Sequence, residues 1–178
     1  MAALAAALLS CPEVARAQAP GSPDFQAQRD HFMRQRNGVV GTLGAWSALS
    51  LVGGTLITLD PAWLPRVAPT RIERRAFGVA TLSFAVVNSV FAIVGAANSS
   101  ALRRSLGDAP ALAHERHAGG SFFAVNAGLD MLYISAGALL FRNTSPMWRG
   151  FGAGVMSQGG FLLGFDVSAA LLYRHGGR

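Results

Sequence analysis

Four apolar runs, residues 38–58, 76–97, 121–141 and 150–173, constrain this chain more than any other feature, because together they hold only two charged residues, Asp130 and Asp166. Each run is close to the about 20 residues that a helix needs to cross bilayer hydrocarbon. A backbone in hydrocarbon must satisfy its own hydrogen bonds, so a spanning segment is either a helix or a strand of a closed barrel. These runs are continuously apolar rather than alternating, which excludes the barrel. The expected fold class is therefore all-α, an integral membrane bundle of four transmembrane helices in one domain, residues 38–173. A hydrophobic content of 51% and 21 glycines fit that class and not a soluble domain.

Charge sharpens the reading. All 15 basic residues are arginine, and the net charge is +6. They are scattered between the apolar runs without a basic stripe or groove motif, which argues against nucleic acid as a partner. Arginines at helix ends that extend their heads to lipid headgroups explain them better. Eight of them (29, 34, 36, 103, 104, 116, 174, 178) fall on one side of the expected topology and six (66, 71, 74, 75, 142, 149) on the other. That split is too even for the positive-inside rule to set orientation.

Residues 1–19 look like an export signal, with a short apolar core from Ala2 to Leu9 and small residues at Ala15, Ala17 and Ala19 for cleavage. Lipidation of Cys11, the single cysteine, and an uncleaved segment are the alternatives. A cleaved signal places both termini of the chain on the extracytoplasmic side of its membrane. Residues 20–37 form a polar tail in which Ser22-Pro23-Asp24 signals a helix start. Phe25, Phe32 and Met33 share an apolar face there, as in a short interfacial helix, and a solvated tail is the competing expectation. Pro61, Pro65 and Pro69 forbid a helix through the first connection, and Asn143-Thr144-Ser145-Pro146 predicts a tight hairpin at the third. Residues 174–178 are a tail.

Polar residues inside the spans mark the candidate site. A carboxylate at the bilayer centre costs a few kcal/mol, so it ordinarily meets a partner, water or a ligand. Asn126 and Asp130 are four apart on one face of the third span, with Tyr133 near the same stripe. Gln158 and Asp166 share a face of the fourth. If spans three and four fold antiparallel about residue 145 or 146, Asn126 lies level with Asp166 and Tyr133 with Gln158, while Asp130 faces Phe161. Asn88 in the second span, level with Trp46, completes a polar cluster of Asn88, Asn126, Asp130, Tyr133, Gln158 and Asp166. Gly160, Gly164 and Ser168 form a small-residue stripe for close helix approach, and the glycines at 150, 152 and 154 another packing surface.

Other chemistry lacks its residues. None of the four histidines lies inside a span, so no haem held by two axial imidazoles is expected, and His114 and His117 belong to a solvated loop. No span pairs serine with histidine for a hydrolase. The glycine-rich segment at residue 150 follows no strand and lacks the lysine of a phosphate loop. Neither a metal, a cofactor nor a catalytic set is expected.

Gly44-Ala45-Trp46, Val87-Asn88, Asn126-Ala127-Gly128-Leu129-Asp130 with Tyr133 and Gly137, and Gln158-Gly159-Gly160-Phe161-Leu162-Leu163-Gly164-Phe165-Asp166 resemble a family of small, uncharacterised bacterial membrane proteins known only as a domain of unknown function. The resemblance covers residues 38–173 and implies a signal segment and four spans, with no activity attached. The leading functional expectation is a non-enzymatic accessory subunit or scaffold, with the lipid bilayer and other membrane subunits as partners and the polar cluster locking the bundle. The alternative is a small proton-coupled transporter or ligand-binding membrane protein that uses Asp130 and Asp166.

Overall fold

The computed structural model describes residues 22–63 and 68–175. The expectations for the signal segment, for Cys11, for Pro65 and for residues 176–178 lie outside them. Five helices account for nearly all of what is described: α1 (Pro23–Leu59), α2 (Arg71–Ala97), a short α3 (Ser99–Ser105), α4 (Ala109–Phe141) and α5 (Pro146–His175). The four long ones are each long and apolar enough to cross a membrane.

Local chemistry fixes their ends. Ser22 caps α1 by accepting from the Phe25 backbone N–H at 3.3 Å, with Pro23 at the first helical position. Asp60 ends α1 at φ 53°, a left-handed conformation that aspartate tolerates better than most residues, and Pro61 prevents continuation. Thr70 and Glu73 form a reciprocal capping box at the start of α2. Asp108 caps α4 through the Ala111 N–H at 2.8 Å. Asn143 accepts from the Ser145 N–H at 2.9 Å, tightening the expected hairpin between α4 and α5.

Two expectations change. From Pro23 onward the polar segment before the first span is neither a separate interfacial helix nor a solvated tail, because it continues without a break into that span. A single glycine at 38 costs about 1 kcal/mol in a helix, too little to break one that is held at both ends. Phe25 and Phe32, each 1% exposed, hold the lower end in a core with Met33, Leu106, Leu112, Ala169 and Tyr173. The second connection is likewise mostly helical, so His114 and His117 stand exposed on the first turns of α4 rather than in a loop.

The helices pack in the order α1, α2, α5, α4, each along its neighbour. Glycines set the close approaches. A Cβ on Gly78 would lie 2.7 Å from the Thr58 backbone nitrogen and 2.8 Å from the Gly54 carbonyl oxygen, which draws α1 onto α2. Gly154 does the same for α5 against Phe77 and Ala80 of α2, and Gly152 for α5 against Gly137 and Phe141 of α4. The stripe at Gly160 and Gly164 faces outward instead, with nothing near either residue. Arg149 of α5 donates to the buried Glu73 of α2 at 2.7 Å, and Arg74 clamps Asp60 with bonds of 2.6 and 2.8 Å. Helix α4 packs chiefly on α5 along its length, and that leaves a gap between α4 and α2.

Candidate functional site

The gap between α2 and α4 is a cavity of about 740 Å³, floored by α5 and closed on its far side by α1. Asn88 from α2, Asn126, Asp130 and Tyr133 from α4, and Asp166 from α5 all line it. The structure therefore brings together five of the six polar residues singled out from the sequence. Val87, Phe91, Phe122, Leu129 and Tyr133 line the cavity and are also 44–56% exposed, so its mouth opens sideways, where hydrocarbon would lie.

Asp130 and Asp166 are 3% and 5% exposed, and their carboxyl groups meet across the α4–α5 interface. The expected pairing of Asp166 with Asn126, and of Asp130 with nothing but Phe161, is thus corrected. The antiparallel register itself is as expected: Gly159 seats beside Ile134 and Gly120 beside Tyr173. What the depth argument omitted is side-chain direction. Every helical side chain leans toward the N-terminus of its own helix. Asp130 leans toward residue 126 and Asp166 toward residue 162, so in antiparallel neighbours the two converge. Carboxylates offer only acceptors, so a hydrogen bond between the two requires one proton in the pair.

Gln158 is the exception among the six. Its Oε1 accepts from Trp46 Nε1 at 3.0 Å and its Nε2 donates to Ser50 Oγ at 3.3 Å, both on α1. The Trp46 ring stacks on Phe161 at 3.8 Å between centroids. The expected Gln158–Tyr133 pairing is therefore not formed, and Tyr133 packs edge-on against Phe84 at 5.5 Å. Trp46 and Ser50 are four apart and so share a face of α1, a signal present in the sequence.

Two buried polar groups of the cavity lack any partner: Asn88 Nδ2, on a side chain 6% exposed, and Asp130 Oδ2. Desolvated groups of this kind cost roughly 1–3 kcal/mol each when left unpaired. Apart from Ser83, whose hydroxyl donates to the Val79 carbonyl of its own helix, the remaining polar lining lies toward the end where α1 begins. There Arg36 donates to Ser99 Oγ at 2.7 Å and to the Gly95 carbonyl at 2.9 Å, and Glu115 and Tyr173 complete the wall. Sequence reasoning missed Arg36 and Glu115 because both lie outside the apolar runs. Among the described residues no cluster of three or more histidine, cysteine, aspartate or glutamate side chains is placed to hold a metal ion.

The sequence profile of a family of unknown function, DUF6992, matches residues 42–167, a stretch that holds Trp46, Asn88, Asp130, Gln158 and Asp166. No curated protein and no solved structure matches the chain.

Proposed function

The chain belongs to DUF6992, a family of unknown function, and we propose that it is a non-enzymatic ligand-binding protein of the membrane that takes a hydrophobic molecule sideways from the bilayer into the cleft between α2 and α4. The observation that carries this reading is the cavity itself. Its volume lies in the range of sites for small organic ligands, its walls are mostly apolar, and its few polar groups converge on one buried carboxyl pair. A bundle merely locked by polar contacts would fill this space with side chains, as helix packing in membranes relies on close contact. Ionisable groups within a span that face such a cavity are the usual mark of a substrate or proton pathway.

Native mass spectrometry of the protein in nanodiscs formed from its own membrane tests the reading. Wild-type protein is expected to retain a small hydrophobic molecule, and Val87→Trp, which fills the mouth from a position 53% exposed, to lose it. Equal retention by both proteins, or none by either, overturns the cleft reading.

The accessory-subunit reading has its own support in the uncovered face of α5, where Gly160 and Gly164 are exposed with nothing packed against them. Recovery in a stable complex with other polypeptides favours it. For placement we infer the bacterial inner membrane with both termini extracytoplasmic. Four long helices return the chain to the side on which α1 begins, and reporter fusions at each end check the side.

A further inference from the structure

We propose that the ligand of this cleft is an amphiphile with a single neutral headgroup that both donates and accepts a hydrogen bond, a hydroxyl on an otherwise apolar body; this rests on the cleft reading above. The cavity offers one unpaired buried donor, Asn88 Nδ2, and one unpaired buried acceptor, Asp130 Oδ2. Both side chains line the same space and are more than nine-tenths buried. With one proton held between the two carboxyl groups, Asp130 Oδ2 remains a buried acceptor on a side chain that lines the cavity. A hydroxyl is the smallest group that answers both, donating a hydrogen bond to Asp130 and accepting one from Asn88.

Other headgroups fail on the same count. An ether or ketone accepts from Asn88 but brings a second acceptor against Asp130. An ammonium donates to Asp130 but leaves Asn88 with no acceptor. A carboxylate or phosphate sets a negative charge against the buried carboxyl pair, and the nearest lining guanidinium, Arg36, is already bonded to Ser99 and Gly95. The apolar body lies along Phe84, Val87, Phe91 and Leu129 and leaves through the lateral mouth.

Four photoreactive probes on one diazirine-bearing sixteen-carbon chain distinguish these cases in nanodiscs at equal mole fraction: the alcohol, its methyl ether, the primary ammonium and the bare hydrocarbon. Because a buried polar group left unpaired is costly, the alcohol is expected to label Val87, Phe91 and Leu129 about tenfold more than the other three. Asn88→Leu is expected to bring the alcohol down to the level of the ether. Equal labelling of these residues by all four probes overturns the headgroup assignment while leaving the cleft as a binding site. Preference for the ammonium or the ether overturns it too. Labelling confined to other lipid-facing residues removes the cleft reading and this one together. The wild-type panel decides these cases even if Asn88→Leu does not fold.

Discussion

Gln158 divides its amide between two α1 side chains, accepting from Trp46 and donating to Ser50, in a position 3% exposed. Neither half of that amide has water to fall back on. Gln158→Leu is expected to lower stability by about 1–2 kcal/mol, measured by reversible unfolding in mixed micelles. The carboxyl pair obeys a different rule, because what matters there is a donor rather than a charge. Asp166→Asn keeps an N–H to give to Asp130 and is expected to fold as wild type does. Asp166→Leu leaves the Asp130 carboxylate buried without a donor and is expected to lose most of its monodisperse yield in size-exclusion chromatography. The sequence made all six polar side chains visible as outliers in apolar runs, since each conflicts with hydrocarbon on its own. Their pairing was not visible. It depends on the N-terminal lean of side chains and on which neighbour α5 turns Gln158 toward, and neither is a property of a single helix.

Among the elements, the four spans were legible because hydrocarbon imposes length and apolarity on each separately. The helical ends beyond the bilayer were not, since outside hydrocarbon a polar sequence such as residues 24–37 is compatible with helix, loop or interface, and tertiary contact decides. The capping box at Thr70 and Glu73 did carry a signature in its Thr-x-x-Glu spacing. Glycines separate in the same way. Gly78→Ala forces a methyl against the backbone of α1 and is expected to destabilise, whereas Gly160→Ala meets open space and is expected to leave the unfolding midpoint unchanged. The connection from α1 to α2 adds a pH dependence. The hydrogen-bonded Arg74 guanidinium holds the Asp60 carboxyl below the usual carboxylate range, with Arg71 and Arg75 assisting and burial opposing. A lowered folded-state value means that the stabilisation is fully present above the unfolded value of about 3.9 and fades as pH falls below it. The protection of residues 56–63 and 68–75 against hydrogen exchange, taken relative to the intrinsic rate at each pH, is therefore expected to fall below about pH 4 in the wild type. Asp60→Asn, which has no such carboxyl, is expected to show the lower protection already at neutral pH and to change little between the two.

At the scale of the molecule, two kinds of packing hold the helices together, and they act at different depths. Inside the bilayer, burial of apolar surface drives little, so α1, α2, α5 and α4 adhere through glycine contacts and a few hydrogen bonds. At the end where α1 begins, Phe25, Phe32, Met33, Leu106 and Leu112 come from outside the apolar runs, where water is the competing solvent and the hydrophobic effect operates in full. That core is what joins α4 to α1, with Leu112 and Phe123 of α4 gathered with Phe32 of α1 around Tyr173 of α5, whose ring meets that of Phe32 edge to face at 5.5 Å. Helix α4 has no comparable attachment to α2 along the cleft beyond the contact of Tyr133 with Phe84. The terminal core should then act as the hinge that sets how wide the cleft stands. Phe32→Ala removes a ring 1% exposed, a change that costs about 3–5 kcal/mol in a water-facing core. Spin labels at Val90 on α2 and Val125 on α4, both exposed, are expected to give one narrow distance distribution in the parent protein and a broader, longer one in Phe32→Ala. An unchanged distribution in a folded Phe32→Ala protein would mean that α5 alone fixes α4, and that the cleft's width is set inside the bilayer.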